Sequence, residues 1–138
     1  MAATSHPLAV EAAVRVLREG GTAADAAVAA SAAMGVLEPM SCGIGGDLFA
    51  IYWDSATGTI HGLNASGRSP YALNREVFAE RGLDEIPIDG PLSWSVPGCV
   101  AGWADLHDRF GKLDWARLFD ESIRHAEEGH PVPPVIAG

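Results

Sequence analysis

The sequence predicts an α+β fold with about five helices and one β-hairpin. Three observations lead there. Residues 6–37 carry two runs of helical character, one amphipathic and one rich in alanine. Two strand-like runs, LFAIYW (48–53) and GTIHGLNA (58–65), flank a single turn. Two further helical runs occupy 98–110 and 114–128. At 138 residues, 48% hydrophobic and 20% charged, the chain has globular composition and length for one domain with a sizeable core, and no internal domain boundary is expected.

Residues 6–19, HPLAVEAAVRVLRE, read as the first helix. Pro7 suits a first helical turn and Ser5 is the expected cap. Val10, Ala13, Val14 and Leu17 form the expected buried stripe, with Glu11, Arg15, Arg18 and Glu19 pointing outward. Gly20 and Gly21 stop this helix, and Thr22 with Asp25 makes a capping-box pattern for the next. The second helix, to Leu37, has small residues on every face. A helix apolar all round belongs in the centre of a larger structure. Its lack of a polar face predicts an exposed apolar patch and self-association of the isolated chain.

The loop in EPMSCGIGGDLFAIYW (38–53) is glycine-rich, but it follows a helix and precedes a strand. A dinucleotide cradle needs the reverse order, and here the glycine spacing is wrong and Asp47 would repel phosphate. The glycines are expected to supply positive φ and close backbone approach at a helix-to-strand turn. The hairpin follows, its strands joined by a turn of about five residues, 54–58. A short helix is expected from Asn74 to a stop at Gly82, and residues 83–97, with three prolines, form an irregular connection. The helix beginning at 114 should run unbroken to Gly129. The tail HPVPPVIAG is expected to be non-helical through its three prolines. One hairpin alone is a poor sheet, so the chain reads as part of a larger unit.

Composition also excludes functions. A formal charge of −9, with nine scattered basic residues, argues against nucleic acid. Cys42 and Cys99 lack metal-ligand company, so no metal is expected; free thiols are the favoured state, with a disulfide left open. No basic, apolar leader pattern opens the chain, and 23–37 is too short to span a bilayer; the cytoplasm is the favoured compartment unless an upstream signal was removed, and no membrane partner is expected. No H-E-x-x-H or G-x-S-x-G occurs, and His6, His61, His107, His125 and His130 are dispersed. The residues alone define an incomplete domain without a nucleophile or cofactor site.

The first helix from His6, Gly20-Gly21-Thr22-Ala23-Ala24-Asp25-Ala26-Ala27-Val28-Ala29, the loop Gly43-Ile44-Gly45-Gly46, and the later runs SVPGCVAGW (95–103) and RFGKLDWARLFDESIRHAEEGHPV (109–132) follow one another in this order. Together they resemble the start of the large subunit of the gamma-glutamyltransferases. The resemblance implies a partial N-terminal-nucleophile hydrolase αββα sandwich, made as a self-cleaving precursor. It implies an N-terminal threonine nucleophile on a small subunit, outside this chain, acting on a small amide substrate. The partners it implies are that subunit and the rest of the large subunit. Thr4, Thr22, Thr57 and Thr59 do not match the nucleophile's context, so catalytic residues are expected elsewhere and the chain alone is expected to be inactive. In gamma-glutamyl-specific members an arginine after the second strand holds the substrate's α-carboxylate; counting back from Pro70, its place is Ser66, and the nearest arginine is Arg68. Ser66 and Arg68 are therefore the candidate substrate-binding residues. The form NASGR is also similar to that of related amidohydrolases and acylases, so gamma-glutamyl and other amide substrates both stay open. A non-catalytic module that dimerises through the alanine-rich helix is the alternative from another class.

Overall fold

The computed structural model describes residues 1–137. Helix α1 (Pro7–Arg18) begins with Pro7 in its first turn, but its cap is His6, whose Nδ1 accepts from Leu8 N at 3.2 Å. The expected cap, Ser5, instead donates to Glu38 Oε1 at 2.8 Å. The buried stripe also differs from expectation. Ala9, Ala12, Ala13 and Val16 are buried, while Val10, Val14 and Leu17 are only half-buried. The reason is close approach: α1 lays its alanines against α2 (Ala23–Leu37), and its bulkier side chains are left at the margins.

The Thr22–Asp25 capping box opens α2 as expected, with both reciprocal bonds formed. This helix is the hub of the fold, contacting α1, α4 (Cys99–Phe110), α5 (Asp120–Glu128) and the tight turn before α5. Nine of its residues are buried, from Ala24 to Leu37. Most of its apolar surface is covered from within the chain, with Ala23 and Ala27 left exposed and Ala30 and Val36 half-buried, so the patch on α2 is smaller than expected.

Strands β1 (Leu48–Asp54) and β2 (Thr59–Ala65) form an antiparallel hairpin, with Asp54 opposite Thr59 and a four-residue turn. Leu48, Ala50, Tyr52 and Leu63 face the core against α4, and Tyr52 stacks on Phe110 at 4.1 Å. The opposite face carries Phe49, Ile51, Trp53 and Ile60, which are 58–85% exposed. Apolar surface displaced from α2 is thus found on the hairpin.

Asn74 caps α3 (Arg75–Glu80) as expected, and Gly82 follows with φ +68°. The helix expected over 114–128 is divided. Trp115–Phe119 winds as a 3₁₀ segment before α5, packing Trp115 against His107 and Phe119 against Trp103. The tail holds a short α6 (Pro134–Ala137), contrary to expectation, giving six helices among the described residues. Pro134 opens that turn, where a proline lacks nothing a helix needs, and Pro133 O accepts from Ile136 and Ala137.

Candidate functional site

Three segments meet where β2 ends: the glycine loop before β1, the stretch from Ala65 to Tyr71, and the turn entering α4. Gly46 O accepts from Gly98 N and Cys99 N at 3.3 and 3.0 Å, tying the loop to the first turn of α4. Arg68 O accepts from Val96 N at 2.8 Å. Ser95 Oγ lies 3.1 Å from Ser66 O and 3.3 Å from Asp47 Oδ1, so one hydroxyl bridges two of the segments.

This convergence needs glycine, but not where the sequence emphasised it. Gly67 has φ +81°, and a Cβ there would stand 1.8 Å from Val96 O. A Cβ on Gly98 would meet Ala65 O at 2.3 Å. The loop glycines Gly43, Gly45 and Gly46 have no positive φ, and a Cβ on Gly43 or Gly45 would meet nothing within 4 Å. The expectation for that loop is corrected: its glycines are not demanded by the turn itself.

Ser66 and Arg68 both line an open cleft of about 740 Å³, with Asn64, Tyr71, Ala101 and Asp105 among its walls. Their side chains differ. Ser66 is half-buried, and its hydroxyl donates to Gly67 O at 3.3 Å while its N–H donates to Asn64 Oδ1. Arg68 is exposed, and among the described residues its guanidinium makes no ion pair. A second open cavity, about 770 Å³, lies around α3, but it contains neither Ser66 nor Arg68.

No side chain in the cleft is an activated nucleophile. Ser95 has one hydroxyl proton and two acceptors, so it acts as a brace. Both cysteines are free. Burial, with Cys42 and Asp47 nearby, pushes the Cys99 thiol up from its ordinary value, which keeps it protonated. Thr22 is spent on its cap and Thr57 donates to Asp54. Among the described residues no group of three His, Cys, Asp or Glu side chains is disposed to hold a metal ion. Sequence reasoning missed Asp47, Asp105 and Ser95 as parts of this site. The turn sequence SVPG was the available signal, since Pro97 and Gly98 mark a tight entry to α4.

Ser66 and Arg68 thus share one cleft, built where the glycine loop, the end of β2 and the entry to α4 meet. The family model of gamma-glutamyltranspeptidase matches residues 9–138, and the chain belongs to that family. The glutathione hydrolase proenzyme of Bacillus subtilis (strain 168) is 36% identical over 99% of this chain and 24% of its own length. The gamma-glutamyltranspeptidase structure from Helicobacter pylori superposes with a TM-score of 0.90 at 34% identity, over 99% of this chain and 40% of that one. The cephalosporin acylase structure from Bacillus halodurans gives 0.89 at 45% identity, over 97% and 25%. The α+β arrangement is thus that of N-terminal-nucleophile hydrolases, and the chain spans about a quarter of the curated relatives it matches.

Proposed function

We propose that residues 1–138 act as one undivided segment, the N-terminal part of the large subunit of an enzyme that transfers or hydrolyses an amide-linked acyl group. The nucleophile is an N-terminal threonine on the small subunit, outside this chain. Its hydroxyl attacks the amide carbonyl while its own α-amine takes the proton, then passes it to the departing amine. The acyl ester that remains is released to water or to an amine acceptor. The role of this chain is to hold the acyl group, and the remainder of the large subunit and the small subunit are its partners.

The observation that carries this reading is the unpaired Arg68 guanidinium on the cleft beside Ser66. A planar guanidinium binds a carboxylate through two parallel bonds, which suits a gamma-glutamyl substrate. A second reading, amide hydrolysis of a non-glutamyl substrate, is supported by a serine, Ser66, at the place of the family's arginine and by the 45% identity to a cephalosporin acylase. A non-catalytic module that dimerises through α2 has less support, because nine of the residues of that helix are buried within the chain.

The test is kinetic, on the complete processed protein. With a gamma-glutamyl anilide, Arg68→Ala is expected to lower kcat/KM by about 30- to 1000-fold, or about 2–4 kcal/mol. Arg68→Lys should recover part of this, and an anilide without the α-carboxylate should be unaffected by either change. Unchanged kinetics in Arg68→Ala would instead select the acylase reading.

A further inference from the structure

The three side-chain polar atoms that are buried without a partner among the described residues are His6 Nε2, Ser122 Oγ and His125 Nδ1. The two histidines are dispersed in sequence but converge on a third. His130 packs edge-on against both, with ring centroids 6.3 Å from His6 and 6.0 Å from His125. His6 is 2% and His125 4% exposed. None of this takes part in the acyl-transfer reading.

The hydrogen bonds define the protonation each ring needs. His6 Nδ1 accepts from Leu8 N, so it holds a lone pair and the proton sits on the buried Nε2. Arg124 Nη2 faces His125 Nε2 at 3.5 Å, which places the lone pair there and the proton on buried Nδ1. Both rings therefore fit the site only as neutral imidazoles. A second proton on His6 would set two donors against each other at the cap of α1. We propose that the packing of His6 and His125 on His130 is an acid-sensitive clasp, which holds the first turn of α1 to the end of α5 while the His125 ring is neutral and releases it when that ring takes a proton.

The surroundings give little to oppose release. From α5, Arg124 disfavours a positive ring, and Glu121 is occupied by Arg15 and Arg124. From α1, Glu11 favours it. Helix α2 offers no titratable group between Asp25 and Glu38, and Glu38 accepts from Ser5. Desolvation foremost, then Arg124, His130 and His6, holds His125 below its ordinary 6.5. A depressed folded value means the unfolded chain binds the proton more readily, so the clasp's contribution is complete above about 6.5 and is lost as pH falls through the folded value.

Hydrogen exchange of the Leu8, Ala9 and Val10 amides in the complete protein tests this, after correction for the intrinsic effect of pH. Protection is expected to fall about tenfold between about pH 7.5 and about pH 5. In His125→Leu that fall should largely disappear. Should this variant fail to fold, the His125 Cε1 proton, followed by NMR in the unmodified protein, should titrate below 6.5 together with the Leu8 amide. Constant protection across the range, an undiminished fall in His125→Leu, or an ordinary His125 titration would overturn the proposal.

Discussion

Asp25 is wholly buried, yet no lysine or arginine side chain touches it. Its oxygens accept from Thr22 N and Oγ1, from Lys112 N, and at 3.4 Å from Leu113 N. His107 Nε2 stands 3.6 Å away and donates to Leu113 O. One carboxylate thus joins the start of α2 to the 111–113 turn 87 residues later. Replacing it with alanine strands several backbone donors at once. Asp25→Ala is expected to cost about 3–5 kcal/mol in urea unfolding. Asp25→Asn should cost less, since one oxygen remains while the amide nitrogen faces donors. A loss below about 1 kcal/mol for the alanine variant would show that water reaches those donors. Gly67 makes the other residue-scale case. Gly67→Ala combines a positive φ with a backbone collision at Val96 O, so it should break the Val96–Arg68 pairing and lower stability by more than the roughly 1 kcal/mol of a left-handed alanine alone.

Helix α2, the hairpin, α3 and α4 were legible in the sequence because their signals are local: a capping box, a period of two around a turn, an Asn cap, a glycine stop. The misread features depend on contacts between elements. A 3.6-residue period allows two neighbouring stripes on α1, and only the alanine face of α2 decides for Ala9, Ala12 and Val16. The 3₁₀ winding of 115–119 answers to aromatic packing with α4. The histidine clasp was invisible for the same reason, and so was the part of the site built by Ser95 and Asp47. The hairpin carries the element-scale prediction. Its outer face pairs Trp53 with Ile60 and sets Ile51 opposite Gly62, all exposed. In a two-layer sheet sandwich such a face meets a second sheet. The isolated chain should therefore self-associate through it, rather than through α2. Ile51→Lys with Trp53→Thr should shift sizing-column elution toward monomer, while each change alters stability by about 0.5 kcal/mol or less. A monomeric, dye-negative unmodified chain would count against this surface.

At the scale of the molecule, the described residues form a scaffold and a cleft, and the reading proposed above puts the nucleophile on a partner. The hydroxyls of Thr22, Thr57 and Ser95 are engaged in a cap, a turn and a brace, and burial holds the Cys99 thiol beside the site protonated. Acyl transfer needs a nucleophile and a base within hydrogen-bond reach of one another and of a substrate carbonyl. Ser95 comes nearest, but its one proton is directed between Ser66 O and Asp47 Oδ1, which makes it a brace between two segments. The expected outcome is that the purified 138-residue chain neither cleaves itself nor releases anilide from gamma-glutamyl anilides. Adding the complementary remainder of the large subunit and the small subunit should restore turnover, because the cleft around Ser66 and Arg68 would then face the threonine. Turnover by the chain alone, retained in Ser95→Ala, would place a nucleophile somewhere the packing gives no sign of one, and the division of labour proposed between this chain and its partners would fall.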